Sequence, residues 1–144
     1  MKRRSTAIWQ GSGAEGKGLL NSTSGVLTNT PYSSMSRFKN EDGLAGTNPE
    51  ELIAAAHSGC YAMALSFALS GAGFVPVELK VEAAVNLEQD ATGFEITGVH
   101  LNVVGDVPGI TPDKFQELAG VAKLNCPVSK ALKAVPITLE AKLK

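Results

Sequence analysis

The chain has 144 residues, with 13 basic and 14 acidic side chains and a formal net charge of −1 at pH 7. This length predicts a single domain, residues 1–144, with enough apolar side chains for a core. The nearly balanced charge argues against nucleic acid as a partner, because phosphate binding needs a basic patch. The basic N-terminus is not followed by an apolar segment, so we expect no secretory signal and a cytoplasmic location.

The first forty residues have the pattern of short strands and turns. Residues 5–11 and 17–23 are predicted to pair as a hairpin across a glycine-rich turn. Residues 32–38 predict a further extended segment, and residues 40–46 a polar loop. The glycines of the hairpin turn vaguely resemble a phosphate loop, but no Walker pattern follows them.

A long apolar helix is predicted next. Residues 47–51 combine a capping residue, a proline at the first helical position and two acids in the first turn. Glycines at 71 and 73 predict its end. The length approaches that of a transmembrane helix, which is the alternative interpretation. The many small residues and the absence of a basic flank favour a helix buried at the centre of a globular fold, with no membrane partner.

The second half of the chain continues with strands and helices. Residues 77–87 and 94–104 alternate as the two strands of a β-hairpin with one face on the core. Helices are predicted over residues 111–124 and 127–133, and a last strand over 137–143. The order of elements predicts an α+β fold in which antiparallel β-sheets wrap around the long central apolar helix.

Cys60 and Cys126 are the two cysteines of the chain. Cys60 lies inside the long helix, where a lone cysteine is ordinarily a small buried apolar residue. Pro127 favours a helix start that places Cys126 at the N-cap, where the helix dipole lowers a thiol pKa. Without an export signal a structural disulfide is not expected, and a redox-cycling pair is favoured.

Arg37 and Glu50 are candidates for activating Cys60. A guanidinium near the sulfur favours the thiolate, and a carboxylate can hold that guanidinium in position. Glu50 precedes Cys60 by ten residues, or about 15 Å along a straight helix, so the two side chains cannot meet within one helix. If both serve one site, a symmetric homodimer with antiparallel helices would bring them together.

Other chemistry is less well supported by the sequence. His57 shares a helix face with Cys60, as in a cysteine hydrolase or acyltransferase, but no Asp or Asn of the helix is placed to orient the imidazole. We therefore interpret His57 and His100 as structural. A zinc site is not expected, because no close-spaced pair of Cys or His occurs.

Three motifs resemble those of one known family. They are the segments around residues 24–38, the helix start at residues 47–53 running through Ala56 and His57 to Cys60, and Asn125–Ser129. Over essentially its whole length the chain resembles the osmotically inducible protein C / organic hydroperoxide resistance (OsmC/Ohr) family, in particular its OsmC branch. The resemblance implies an intertwined homodimer and a thiol peroxidase, active in oxidative and osmotic stress, without metal, haem or flavin cofactor.

The resemblance also implies a role for each candidate residue. Cys60 would be the peroxidatic cysteine and Cys126 the resolving one, Arg37 would bind the thiolate and the peroxide, and Glu50 would orient Arg37. The Cys60–Cys126 disulfide would be reduced by an external dithiol; lipoyl proteins reduce some family members. Apolar neighbours of Cys60 would suit organic hydroperoxides over hydrogen peroxide: Ile53, Met63 and Phe67. The alternative is a non-enzymatic protein of the same fold that binds a small apolar ligand.

Overall fold

The computed structural model describes residues 1–40, 44 and 46–144. Most of the predicted polar loop at 40–46 therefore lies outside the described residues. The chain forms two compact units, residues 1–52 and residues 53–144.

The first unit contains a three-stranded antiparallel sheet. Its strands are β1 (Ser5–Gln10), β2 (Lys17–Ser22) and β3 (Thr30–Ser33), in the order β1-β2-β3. The predicted hairpin is confirmed by the pairing of β1 with β2. Gly18 of β2 lies opposite Tyr32 of β3, and a Cβ at this glycine would come within 2.2 Å of the tyrosine ring. The close approach of strand and ring therefore needs glycine here.

A short helix, α1 (Ser34–Phe38), stands where the sequence predicts an extended segment. The prediction holds for residues 32–33, which end β3, and is wrong for residues 34–38, because a local capping box closes a helical turn. The Ser33 hydroxyl accepts a hydrogen bond from the Ser36 N–H at 3.0 Å, and the Ser36 hydroxyl accepts one from the Ser33 N–H at 2.9 Å. Arg37 consequently lies in the last turn of a helix and not on a strand.

The long helix α2 (Pro49–Gly71) is confirmed. Its cap is Asn48, whose Oδ1 accepts the Glu51 N–H at 2.8 Å, while the Thr47 hydroxyl donates to the Glu51 carboxylate. By length and composition alone α2 could cross a membrane, but the core helix of a globular protein meets the same criterion.

The second unit holds a sheet of β4 (Glu78–Gln89), β5 (Phe94–Asp106) and β6 (Ile137–Leu143), in that order. β4 and β5 form the predicted antiparallel hairpin. β6 pairs with β5 in parallel, which departs from the expectation of antiparallel sheets. Between them α3 (Pro112–Asn125) and α4 (Pro127–Ala131) form a helical crossover, which is the connection that parallel neighbours require. The α+β class itself is confirmed.

One stripe of α2 is buried in the core of the second unit. Its residues recur at every fourth position, which is the spacing of a single helix face. Its three apolar members belong to the same hydrophobic core cluster as side chains of β5 and α3. Its members are His57, Tyr61, Leu65 and Leu69. Elsewhere on the helix Met63 and Phe67 are 62% and 79% exposed, so the single chain buries less of α2 than a central helix would.

Candidate active site

The two cysteines meet in the second unit. The sulfur of Cys60, in the middle of α2, lies 3.3 Å from the sulfur of Cys126, at the junction of α3 and α4. Both are free thiols. A disulfide bond is about 2.05 Å long, so a small approach of the two sulfurs would allow them to bond.

Cys126 caps α4, as the sequence predicts. Its sulfur accepts a hydrogen bond from the Ser129 N–H at 3.5 Å. Burial raises the pKa of the Cys126 thiol, but hydrogen bonds from the backbone and hydroxyl of Ser129, from Cys60 and from the backbone of Val128 outweigh that effect. The net result is a pKa below the ordinary thiol value, so Cys126 is the more readily ionised sulfur of the pair.

Cys60 has the opposite tendency. Burial raises the pKa of its thiol, a hydrogen bond from the Val128 backbone opposes that rise, and the neighbouring Cys126 adds to it. Two thiolates at this distance would repel each other, so the pair holds one negative charge more easily than two. Ionising Cys60 first would require a cation beside its sulfur.

Cys60, the less readily ionised cysteine, is the more accessible of the two to a molecule from outside. Cys60 borders a cavity of about 530 Å³, whereas Cys126 is fully buried. A molecule entering from the cavity therefore reaches Cys60 before Cys126. The rest of the lining is apolar except for one asparagine: Met63, Ala64, Phe67, Ala68, Val121, Ala122, Asn125 and Pro127.

His57 lies beside this pair, fully buried in the stripe of α2. Its Nε2 is 2.8 Å from the Ser129 hydroxyl, and its Nδ1 has no hydrogen-bond partner in the described part of the chain. Burial lowers the pKa of the imidazole. From the sequence alone His57 is interpreted as structural, and Ser129 has no predicted role. The spacing in the sequence is the one signal that could have indicated a role: His57 lies three residues before Cys60, and Ser129 lies three residues after Cys126.

Arg37 and Glu50 form a second pair, in the first unit. Arg37 donates from Nε to Glu50 Oε2 at 3.1 Å and from Nη2 to Oε1 at 2.6 Å. This two-pronged geometry fixes the plane of the guanidinium as well as its position. Glu50 is 9% exposed, and the guanidinium carbon lies 4.8 Å from the centre of the Phe38 ring.

The four predicted site residues therefore form two pairs, each inside one unit: Arg37 with Glu50, and Cys60 with Cys126. Glu50 holds the arginine of its own chain. Among the described residues no three His, Cys, Asp or Glu side chains cluster closely enough to hold a metal ion.

Comparison with known proteins places the chain in a family. Residues 40–140 match the family described as OsmC-like protein. The chain is 44% identical over 142 residues to Peroxiredoxin OsmC of Escherichia coli (strain K12), an alignment covering 99% of this chain and 96% of that protein. It is 35% identical over 105 residues to the organic hydroperoxide resistance protein OhrB of Bacillus subtilis (strain 168), covering 71% and 74% of the two chains. The crystal structure of OhrB superposes with a TM-score of 0.72 at 30% identity, covering 98% of each chain. The chain belongs to the OsmC-like protein family.

Proposed function

We propose that the chain is a cysteine-based peroxidase that reduces organic hydroperoxides, and hydrogen peroxide less efficiently. Its 44% identity to a peroxiredoxin over nearly the whole chain, and its likeness to organic hydroperoxide resistance proteins, support this activity. The observation that carries the proposal is a cavity-lining thiol with a second, buried thiol 3.3 Å away. The apolar lining favours a substrate with an organic substituent.

In the first step the Cys60 thiolate attacks the outer oxygen of the hydroperoxide. The O–O bond breaks, the sulfur is oxidised by two electrons to a sulfenic acid, and the alkoxide takes up a proton and leaves as the alcohol. Cys60 is assigned this role because it borders the cavity. The lower pKa of Cys126 does not compensate for its burial, since a sulfur that the substrate cannot reach does not react.

Arg37 is proposed to lower the pKa of the Cys60 thiol in the working enzyme. An arginine side chain has five N–H donors, of which Glu50 takes two. In this proposal the remaining donors bind the thiolate and the peroxide oxygens. In this proposal Glu50 is a positioning residue that fixes the direction in which those donors point.

In the second step Cys126 attacks the sulfenic sulfur of Cys60. The S–S bond forms, the sulfenic oxygen leaves as hydroxide, and the proton that Cys126 released on ionising converts it to water. An external dithiol then reduces the disulfide by two successive thiol–disulfide exchanges and is itself oxidised. A protein-bound lipoyl group in its reduced, dihydrolipoyl form is a dithiol of the required chemistry.

We further propose that the chain works as a cytoplasmic homodimer in oxidative or osmotic stress, as one domain and without nucleic-acid or membrane partners. The exposed apolar side chains Met63 and Phe67 on α2 support a partner chain, because such surfaces mark interfaces. A cytoplasmic location suits the chemistry, since the dithiols that would reduce the disulfide are abundant there.

Intact mass spectrometry of the reduced protein, before and after one equivalent of cumene hydroperoxide, tests the proposal. Wild type should lose about two hydrogens as the disulfide forms. Cys60→Ser should keep its mass, and Cys126→Ser should gain about one oxygen. Ser58→Ala, on the same helix, is the control and should behave as wild type. An unchanged wild-type mass would contradict the peroxidase and favour a protein that binds a small apolar ligand in the same cavity.

A further inference from the structure

A buried polar chain runs from His57 through Ser129 to the sulfur of Cys126. We propose that His57 is a positioning residue for the second step of the reaction, and that it acts through the Ser129 hydroxyl to hold Cys126 as the attacking thiolate. The role in the second step rests on the proposed function, but the contacts among His57, Ser129 and Cys126 do not depend on peroxide chemistry.

The position of His57 is costly for a histidine. It continues the stripe of Tyr61, Leu65 and Leu69, where an apolar side chain would pack without losing hydrogen bonds to water. Its Nδ1 is buried without a hydrogen-bond partner in the described part of the chain, which adds a desolvation penalty. A leucine would avoid both costs. The contact with Ser129 is the feature that a leucine would lack.

The orphaned ring nitrogen indicates the tautomer. A buried N–H without an acceptor is rarer in proteins than an acceptor that lacks a donor. We therefore assign the proton to Nε2, which is 2.8 Å from the Ser129 hydroxyl oxygen, and leave Nδ1 unprotonated. The imidazole then donates to Ser129, and the serine's own proton is free to point to Cys126.

Ser129 donates its backbone N–H to the Cys126 sulfur, and in this proposal its hydroxyl is a second donor to the same sulfur. Its N–H lies 3.5 Å from the Cys126 sulfur, and its hydroxyl also contributes to the lowered pKa of that thiol. Donation from His57 to the hydroxyl oxygen polarises the hydroxyl and strengthens its own hydrogen bond to the thiolate. The chain of donors therefore favours the ionised form of Cys126.

In the second unit, all of whose residues are described, no cation beside Cys126 stabilises its thiolate. The other titratable groups facing Cys126 are acids: Cys60 at 3.3 Å, and Tyr61, whose pKa is raised by burial and by the charge of Cys126. Lys123 of α3 donates to the carbonyl of Ile137 at 3.0 Å, and Lys130 of α4 is exposed. Stabilisation of the Cys126 thiolate in this unit therefore depends on hydrogen bonds.

The proposed role needs a donor at Nε2 and not a titrating imidazole. His57→Gln keeps an N–H at a comparable reach, whereas His57→Leu removes it. Ser129→Thr and Ser129→Ala form a second pair, with and without the hydroxyl. In all four variants the backbone N–H of residue 129 remains, so each pair isolates the side-chain contribution.

The experiment titrates the ultraviolet absorbance of the Cys126 thiolate against pH in a Cys60→Ser background. The variant lacking both cysteines provides the blank. His57→Leu should raise the pKa of the Cys126 thiol by about one unit, a tenfold loss of thiolate at any pH well below it. In His57→Gln the pKa of the Cys126 thiol should stay close to that of the Cys60→Ser parent. Ser129→Ala should raise this pKa as much as His57→Leu does, whereas Ser129→Thr should leave it at the parent value.

An unchanged pKa in His57→Leu would overturn the proposal, as would equal rises in His57→Leu and His57→Gln. Circular dichroism identifies a variant that fails to fold. If a His57 variant does not fold, the test is the Ser129 pair: an unchanged pKa of the Cys126 thiol in Ser129→Ala, or an equal rise in Ser129→Ala and Ser129→Thr, would overturn the proposal. Peroxide reduction plays no part in this titration, because Cys60 is absent. Failure of the peroxidase function would appear only in the intact-mass experiment.

Discussion

Cys60 and Cys126 lie 3.3 Å apart but differ in what surrounds them. Cys60 borders the apolar cavity, and burial raises the pKa of its thiol. Cys126 is shielded from the cavity, and its hydrogen bonds lower the pKa of its thiol. One sulfur is therefore accessible from the cavity, and the other is the more readily ionised. This arrangement suits a reaction in which Cys60 meets the substrate first and Cys126 then attacks Cys60.

Cys126→Ser should permit one reaction with peroxide and then stall. Without the second thiol, the sulfenic acid on Cys60 persists and excess peroxide oxidises it further to sulfinic acid. Mass spectrometry over time should show one added oxygen and then about two, whereas wild type stops at the disulfide. Sustained turnover by Cys126→Ser with a dithiol would show that Cys126 is not the resolving cysteine.

Glu50→Gln should lower kcat/KM for cumene hydroperoxide by about tenfold, equivalent to ~1.4 kcal/mol of transition-state stabilisation. The glutamine removes the charge and one of the two acceptors that fix the Arg37 guanidinium. Glu51→Gln is the matched control, because Glu51 is the exposed neighbour on the same helical turn. Steady-state kinetics that show equal losses in both variants would contradict the positioning role of Glu50.

Phe67→Ser should weaken the proposed homodimer. Phe67 is 79% exposed on α2, and its aromatic ring would be a large part of any apolar interface there. Analytical ultracentrifugation should show a lower average mass for this variant than for wild type at the same concentration. Val75→Ser, at a residue 75% exposed just after α2, is the control. A monomeric wild type would exclude the dimer directly.

His57→Gln should reduce the loss of stability on acidification. Burial places the pKa of His57 in the folded protein below its ordinary value of 6.5. As the pH falls below 6.5, the unfolded chain takes up this proton first, so the free energy of unfolding decreases until the lower folded pKa is reached. Glutamine removes this contribution, which amounts to about 1.4 kcal/mol for each unit between the two pKa values.

Urea unfolding at a series of pH values measures the effect. His57→Gln should give a flatter dependence than wild type below pH 6.5. His100→Gln, at the chain's other histidine on β5, controls for the loss of a histidine. Parallel curves for His57→Gln and wild type would contradict the prediction.

Local patterns in the sequence predict most of the elements. The boundaries of α2 and β6 follow from a cap, a proline, a glycine breaker and a strict alternation, all of which act within a few neighbouring residues. The helix α1 is missed because its capping box uses Ser36 in place of the usual Glu or Gln. The direction of β6 is missed because it depends on where the crossover returns the chain, which no local pattern encodes.

Residue types and their spacing, read without coordinates, determine the family resemblance, the α+β class and the cap at Cys126. Tertiary structure alone decides that Cys60 and Cys126 come within 3.3 Å, that Cys60 borders the cavity, and that His57 meets Ser129. The reason is physical: helix caps and periodicity arise from interactions a few residues apart. A thiol pKa and its access to substrate arise from groups that packing gathers from distant parts of the chain.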